Sequence, residues 1–272
     1  MKSAQEPPLS PPPPPGDEPG IGVPADPERV DLSLVLPVFQ EERVLEATLK
    51  QILGRLPALA ERFEVLVVDD GSTDRSLELA RAAAAADPRI LVHACPENRG
   101  KGNAVRVGMR AARGDRRVFM DADLSTPLDE LGPLLEALDE ADVVLGSRRA
   151  PGAQISVRQP RLRESLGRGF TLLTRTLLAP GVSDFTCGLK GFRGAAADAI
   201  FAVSRLDGWA FDAELVTIAR TQGHRLAEVP VRWHHEEDSK VRLLSAVLVS
   251  LRDLVRICLI RSRGGYRRPE GL

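Results

Sequence analysis

From residue 32 onward, short β-branched apolar runs alternate with stretches in which apolar side chains return every three or four positions. The runs at 32–38, 65–68, 89–94, 117–120 and 143–145 predict strands, and the intervening 44–56, 76–86, 101–112 and 129–138 predict helices. In the first helix Leu45, Leu49, Ile52 and Leu53 share one face. Strand and helix taking turns is the rhythm of an α/β protein, with a doubly wound, mostly parallel central sheet flanked by helices. No segment repeats another.

The rhythm breaks after Arg149. Residues 152–160 read as a mobile loop, and 161–178 as a helix with Leu162, Leu166, Phe170, Leu173 and Leu177 on one side and Arg163, Arg168 and Arg175 elsewhere. A Gly- and Cys-containing segment at 184–191 precedes helices near 195–202 and 211–222, and 226–231 predicts a further strand. A last helix, 243–260, carries Leu244, Val247, Leu248, Leu251, Val255 and Cys258 on one face and leads into Arg261, Arg263, Arg267 and Arg268. Two readings stay open for 161–178 and 243–260, because amphipathicity alone does not separate a core-packed helix from one lying in a membrane interface. Residues 1–30 are too rich in Pro, Gly and charge to build a core. They predict a disordered tail, with a ligand for a polyproline-binding module as the alternative.

Composition narrows the function classes. With 272 residues and 43% hydrophobic content, the chain can bury one sizeable core or two small ones. Lys+Arg 37 against Asp+Glu 38 argues against a nucleic-acid partner. Cys95, Cys187 and Cys258 have neither paired nor metal-ligand spacing, which predicts a reducing compartment. Lys2 has no apolar run behind it, and no stretch reaches the ~18 apolar residues of a spanning helix. A cytoplasmic protein, peripheral on the cytoplasmic face of a membrane, is expected.

The chemistry gathers in two acidic motifs. Asp69-Asp70-Gly71-Ser72 and Asp121-Ala122-Asp123 each follow an apolar run, where a parallel sheet presents its ligand crevice. Two such clusters at strand ends suit a nucleotide diphosphate with a divalent cation, Mg2+ or Mn2+. On extended backbone, Asp121 and Asp123 would point the same way and share one cation. Ser72 and Asp74 are equally explained as caps of the next helix. Asn98-Arg99-Gly100-Lys101-Gly102-Asn103 opens another helix and offers backbone N–H groups and two cations to an anion, but lacks P-loop spacing. No histidine cluster offers a softer metal site: His93 and His224 read as ordinary residues, and His234-His235 as a loop.

Read in order, Pro37-Val38-Phe39-Gln40-Glu41-Glu42, Val67-Val68-Asp69-Asp70-Gly71-Ser72, Asn98-Arg99-Gly100-Lys101-Gly102, Asp121-Ala122-Asp123 and Gly146-Ser147-Arg148 resemble the family 2 glycosyltransferases of GT-A fold. Within that family the series looks most like the polyprenyl-phosphate (dolichyl-phosphate) glucosyl- and mannosyltransferases. Asp184-Phe185-Thr186-Cys187-Gly188-Leu189-Lys190, Trp209-Ala210-Phe211-Asp212-Ala213-Glu214, Glu228-Val229-Pro230-Val231 and Ser239-Lys240-Val241 extend the match to about Arg261.

The resemblance implies a GT-A domain at 31–242, followed by an amphipathic helix and basic tail at 243–272. It implies that Pro37, Phe39, Glu41, Asp69, Asp70 and Lys101 bind the nucleotide sugar together with Asp121, Ala122 and Asp123. Asp121 and Asp123 would hold the metal. Arg148, Asp184, Cys187, Gly188, Lys190 and Lys240 would serve the acceptor, Arg148 and Lys240 by pairing with phosphate. Some relatives carry Gln two residues beyond the second metal aspartate, where this chain has Ser125. Gln159 lacks the Arg-Trp of the processive synthases, which argues against polysaccharide synthesis. The expected reaction is inverting transfer of a hexose, glucose from UDP-glucose first, onto a polyprenyl phosphate at a membrane surface. GDP-mannose, a soluble hydroxyl acceptor with Asp212 or Glu214 as base, or a silent nucleotide-sugar-binding scaffold are the alternatives.

Overall fold

In a computed structural model of the protein, residues 29–155, 169, 171–234 and 243–268 are described, those of 243–248 by backbone alone. The Pro-rich segment, Gln159, half of the 161–178 helix (161–168 and 170), His235 and Lys240 lie outside them. The strands are β1 (Leu32–Val38), β2 (Phe63–Asp69), β3 (Ile90–Ala94), β4 (Arg116–Phe119), β5 (Val143–Ser147), β6 (Gln154–Ile155), β7 (Lys190–Arg193), β8 (Leu226–Pro230) and β9 (Arg232–Trp233). The helices are α1 (Leu45–Arg55), α2 (Ser76–Ala86), α3 (Lys101–Ala111), α4 (Leu131–Ala137), α5 (residues 171–177), α6 (Gly194–Phe201), α7 (Phe211–Thr221) and α8 (Leu243–Ser262). Seven strands form one sheet in the order β3-β2-β1-β4-β7-β5-β8, parallel except for β7 against β4 and β5.

Alternation along each strand builds a core on each face of this sheet. Leu32, Leu34, Leu36, Val65, Val67, Val118 and Val144 point to one face, where Leu49 and Ile52 of α1, Ala80 of α2 and Leu131 and Leu134 of α4 cover them. Val35, Leu66, Val68, Phe119 and Val143 point to the other, under Val105 of α3, Ile200 of α6, Phe211 and Ile218 of α7, and Leu254 and Ile257 of α8. Because both faces are covered, the strands read as continuous apolar runs in the sequence.

Three features differ from the sequence reading. The 184–191 segment ends in a strand, β7, whose buried Lys190 hides its alternation. The 152–160 loop contains β6, which pairs with β9 in a second sheet. On α8 the side chains that pack inward are Leu254, Ile257 and Ile260, whereas Leu251, Val255 and Leu259 are exposed. Likewise Leu173 and Leu177 on α5 face solvent, beside exposed Leu172. No helix among the described residues is long and apolar enough to cross a membrane.

Candidate active site

The strand order reverses beside β1: the chain moves out to β2 and β3 on one side, then returns to β4 on the other. Loops leaving the carboxyl ends of β1, β2 and β4 therefore diverge around one crevice. Hydrogen bonds stitch its rim. The Gln40, Glu41 and Glu42 N–H groups donate to Ser72 Oγ (3.0 Å), Ser76 Oγ (2.8 Å) and Asp74 Oδ2 (3.2 Å). Ser72 and Ser76 thus join two loops, while Asp74 accepts from the Ser76 N–H (3.0 Å) at the start of α2. Pro37 and Glu41 are half-buried, and Phe39 is exposed on the same rim.

The two adjacent aspartates differ in what they hold. Asp70 accepts from the backbone N–H groups of Arg99 (3.2 Å) and Gly100 (2.7 Å), so it fixes the loop that opens α3. Gly100 adopts φ +113° there, and a Cβ would strike the Asp207 carbonyl at 2.5 Å. Asp69 accepts only the Ser72 N–H (3.1 Å), on Oδ2; its Oδ1 is buried without a partner. Among the described residues this oxygen is thus an acceptor left over at the crevice.

Asp121 and Asp123 follow β4 in a turn, not on extended backbone: the Leu124 N–H bonds the Asp121 carbonyl (3.3 Å) and Leu124 takes φ 53°. The Thr48 hydroxyl of α1 anchors this turn through the Ala122 carbonyl (2.7 Å). Asp121 Oδ1 pairs with Lys101 Nζ. Its Oδ2 lies against Gly188, where a Cβ would stand 1.9 Å away. Asp123 Oδ1 accepts the Ser125 N–H (2.9 Å). Behind them Lys190, fully buried, donates to Asp212 Oδ1 (2.5 Å) and to the Cys187 carbonyl (2.6 Å). As the first residue of an antiparallel strand, Lys190 pairs with Phe119 and Leu145, which places it at the same carboxyl edge.

Carboxylates outnumber ammoniums in this cluster, and protonation equilibria register it. Burial would raise the Asp121 carboxyl, but the charges of Lys101, Lys190 and Arg148 hold it below the ordinary range. Burial, followed by repulsion from Asp121, pushes Asp123 up. Burial also raises Asp212, against Lys190 and Lys101. Two repelling carboxylates with hard oxygen donors fit Mg2+ or Mn2+. No group of three or more His, Cys, Asp or Glu able to hold a metal occurs among the described residues. A cation here would complete its shell with phosphate oxygens and water.

Past β5, Arg148 makes a bidentate pair with buried Asp184 (Nε–Oδ2 2.7 Å, Nη2–Oδ1 2.9 Å) and reaches Thr186 Oγ1 (2.8 Å). Opposed by burial, the guanidinium still holds the Asp184 carboxyl down to about 2. Glu228 of β8, for which spacing carried no signal, accepts from the Ser183 N–H and hydroxyl and the Asp184 N–H, so it sets this loop from below. Glu214 accepts from the Arg205 and Leu206 N–H groups and the Tyr266 hydroxyl, an internal brace. The Cys187 side chain is fully buried, and burial pushes its thiol up. The described site therefore brings together Lys101, Asp121, Asp123, Gly188, Lys190 and Asp212, with Arg148 and Asp184 on the adjoining loops and Asp69 at the end of β2 across β1.

Comparison with known proteins agrees with this architecture. The family model for glycosyl transferase family 2 matches residues 33–201. A dolichyl-phosphate beta-glucosyltransferase of Trichomonas vaginalis is 33% identical over 245 residues, 86% of this chain and 72% of that protein. The Homo sapiens dolichyl-phosphate beta-glucosyltransferase is 30% identical over 253 residues, 88% of this chain and 78% of that protein. Among solved structures, a glucosyl-3-phosphoglycerate synthase from Mycobacterium tuberculosis, in complex with Mn2+, UDP and phosphoglyceric acid, superposes with a TM-score of 0.64 at 22% identity, covering 84% of this chain and 78% of that one. The sheet with its flanking helices is the GT-A architecture, and the chain belongs to glycosyl transferase family 2 as a glycosyltransferase.

Proposed function

We propose that the protein transfers glucose from UDP-glucose to a polyprenyl (dolichyl-type) phosphate, with inversion, using Mg2+ or Mn2+. The relatives named above, similar over more than four-fifths of this chain, carry the choice of sugar and acceptor. The charge cluster at the carboxyl edge supports the chemistry. The Asp69 Oδ1 acceptor suits a nucleoside hydroxyl or N–H. A divalent cation held by Asp121 and Asp123 would neutralise the departing diphosphate.

The phosphate oxygen of the acceptor is anionic near neutral pH, since the second pKa of a phosphate monoester is about 6. It attacks C1 of the sugar opposite the diphosphate; the C1–O bond to the diphosphate breaks, and the carbon inverts. No general base is needed, and the two candidates the sequence offers are engaged: Asp212 is buried and held by Lys190, and Glu214 is taken up by the Arg205 and Leu206 N–H groups and Tyr266. That disfavours a hydroxyl acceptor, which needs a base. Positioning and charge neutralisation by Lys101, Lys190 and the Arg148–Asp184 loop then carry the rate.

A lipid acceptor calls for a membrane surface. Exposed Leu172 and Leu177 on α5 and Leu251, Val255 and Leu259 on α8 supply an apolar face. The two helices are joined by Arg261, whose guanidinium donates to the Leu177 (3.0 Å) and Leu178 (3.4 Å) carbonyls, and exposed Arg252 and Arg263 border α8. An apolar stripe edged with arginine suits an anionic bilayer interface.

The test is transfer from radiolabelled UDP-glucose and GDP-mannose to a short polyprenyl phosphate, with and without Mg2+ or Mn2+. Metal-dependent label from UDP-glucose in the lipid is expected. Label from GDP-mannose alone overturns the donor, and UDP binding without labelled lipid overturns the acceptor.

A further inference from the structure

The pairing of Lys101 with Asp121 sets a problem for any cation that binds there. Asp121 Oδ2 lies against Gly188, close enough that a Cβ there would stand 1.9 Å from it. The other oxygen, Oδ1, is the one Lys101 Nζ occupies. A divalent cation that takes Asp121 therefore meets a carboxylate already paired with the Lys101 ammonium.

The backbone on either side of Lys101 is pinned. The Gly100 N–H donates to Asp70 Oδ2 (2.7 Å), and the Gly102 N–H to the Asp207 carbonyl (2.8 Å). A Cβ on Gly102 would meet the Leu206 carbonyl at 2.4 Å, so the loop cannot slide. What can move is the flexible four-carbon side chain, whose surface is 20% exposed, while the Asp121 side chain is 33% exposed. Lys101 is also the first residue of α3, where the helix N-terminus favours negative charge.

We propose that Lys101 is a partner-switching counterion, an inference that rests on the metal and diphosphate reading above. In the free enzyme it neutralises Asp121 and keeps the site closed to a bare cation. When a nucleoside diphosphate arrives with the metal, Asp121 passes to the cation and the ammonium turns to the diphosphate, beside the N-terminus of α3. Metal and donor are thereby made to bind together. Lys190 cannot substitute, because it is fully buried between Asp212 and the Cys187 carbonyl. Arg148 cannot either, being bidentate on Asp184.

The test is titration of the full chain with Mn2+ alone and with Mn2+ plus UDP, read by the loss of the free Mn2+ paramagnetic signal. Wild type, Lys101→Met and Lys101→Arg are compared, with melting curves for each. Lys101→Met is expected to bind Mn2+ alone at least ~10-fold more tightly than wild type, and to lose most of the tightening that UDP produces. Its melting temperature falls, because the half-buried Asp121 carboxylate loses its paired ammonium, and Mn2+ alone restores it. Lys101→Arg, which keeps the charge, stays near wild type in Mn2+ affinity. Equal or weaker Mn2+ binding by a folded Lys101→Met overturns the switch while leaving the metal site standing. An absence of Mn2+ binding in all three proteins, with and without UDP, removes the switch and the metal reading together.

Discussion

The two ends of the central sheet handle buried charge in opposite ways. At the amino edge, Glu64 accepts from Ser33 Oγ (2.6 Å), the Arg113 N–H (2.7 Å) and the Arg113 guanidinium (2.9 and 2.8 Å), and Ser33 Oγ in turn accepts from the Gly114 N–H (2.8 Å). Both carboxylate oxygens are satisfied by protein alone. At the carboxyl edge, Asp69 keeps a buried oxygen without a partner, and Asp121 and Asp123 repel each other. Acidic side chains are thus satisfied within the protein at one end, and at the other they are left to the ligand proposed above. Unsatisfied charge persists where a substrate or cation is to complete it.

Removing charge should break the comparison most sharply at Asp123. Asp123→Asn is expected to lower transfer by ~10³-fold or more, about 4 kcal/mol of transition-state stabilisation. The same variant should melt no lower, and above wild type near neutral pH. A carboxyl whose folded pKa is raised weakens the native state once pH exceeds it, and that penalty goes with the charge. At the other edge, Glu64→Ala should do the reverse. Stranding Arg113 and Ser33 costs about 3–5 kcal/mol of stability, visible in urea melts, while turnover per folded molecule is unchanged.

Gly188→Ala tests the contact between the 184–191 loop and the turn after β4. Its methyl group would force Asp121 Oδ2 to move, so transfer should drop ~10²-fold with a rise in the Mn2+ concentration needed for half activity. The Arg148–Asp184 pair sharpens the comparison from within the carboxyl edge, since it is satisfied like Glu64. The Asp184 carboxyl sits at about 2, below its ordinary 3.8, so its contribution is complete above pH ~4 and is lost as pH falls toward 2. That contribution is about 2 kcal/mol, and Asp184→Asn should flatten stability across that interval.

Much of this was legible in the sequence, for physical reasons. Strands buried on both faces announce themselves as unbroken apolar runs, and β1 and α2 fall where periodicity places them, at 32–38 and 76–86. The acidic motifs stand out because helix capping explains Ser72 and Asp74 better than two adjacent aspartates, although Asp70 proves to fix the loop that opens α3. Less legible was β7, four residues long with a lysine buried inside the sheet, where the partner that permits the burial, Asp212, is 22 residues away. Pairings across such distances leave no periodic trace. The Lys101–Asp121 pair and the Glu228 support of Ser183 and Asp184 belong to the same class. On α8 two apolar stripes compete, Leu254, Ile257 and Ile260 against Leu251, Val255 and Leu259. Only packing decides which one turns inward.

The melting temperature of wild type and Asp123→Asn, each with and without Mn2+ plus UDP, tests most directly whether the carboxyl edge holds charge in reserve for a metal and a diphosphate. Wild type should be stabilised, by about 2.7 kcal/mol at a hundredfold excess over Kd. Asp123→Asn should begin at or above wild type and respond little. An Asp123→Asn protein that starts well below wild type and still gains the full increment would contradict the account.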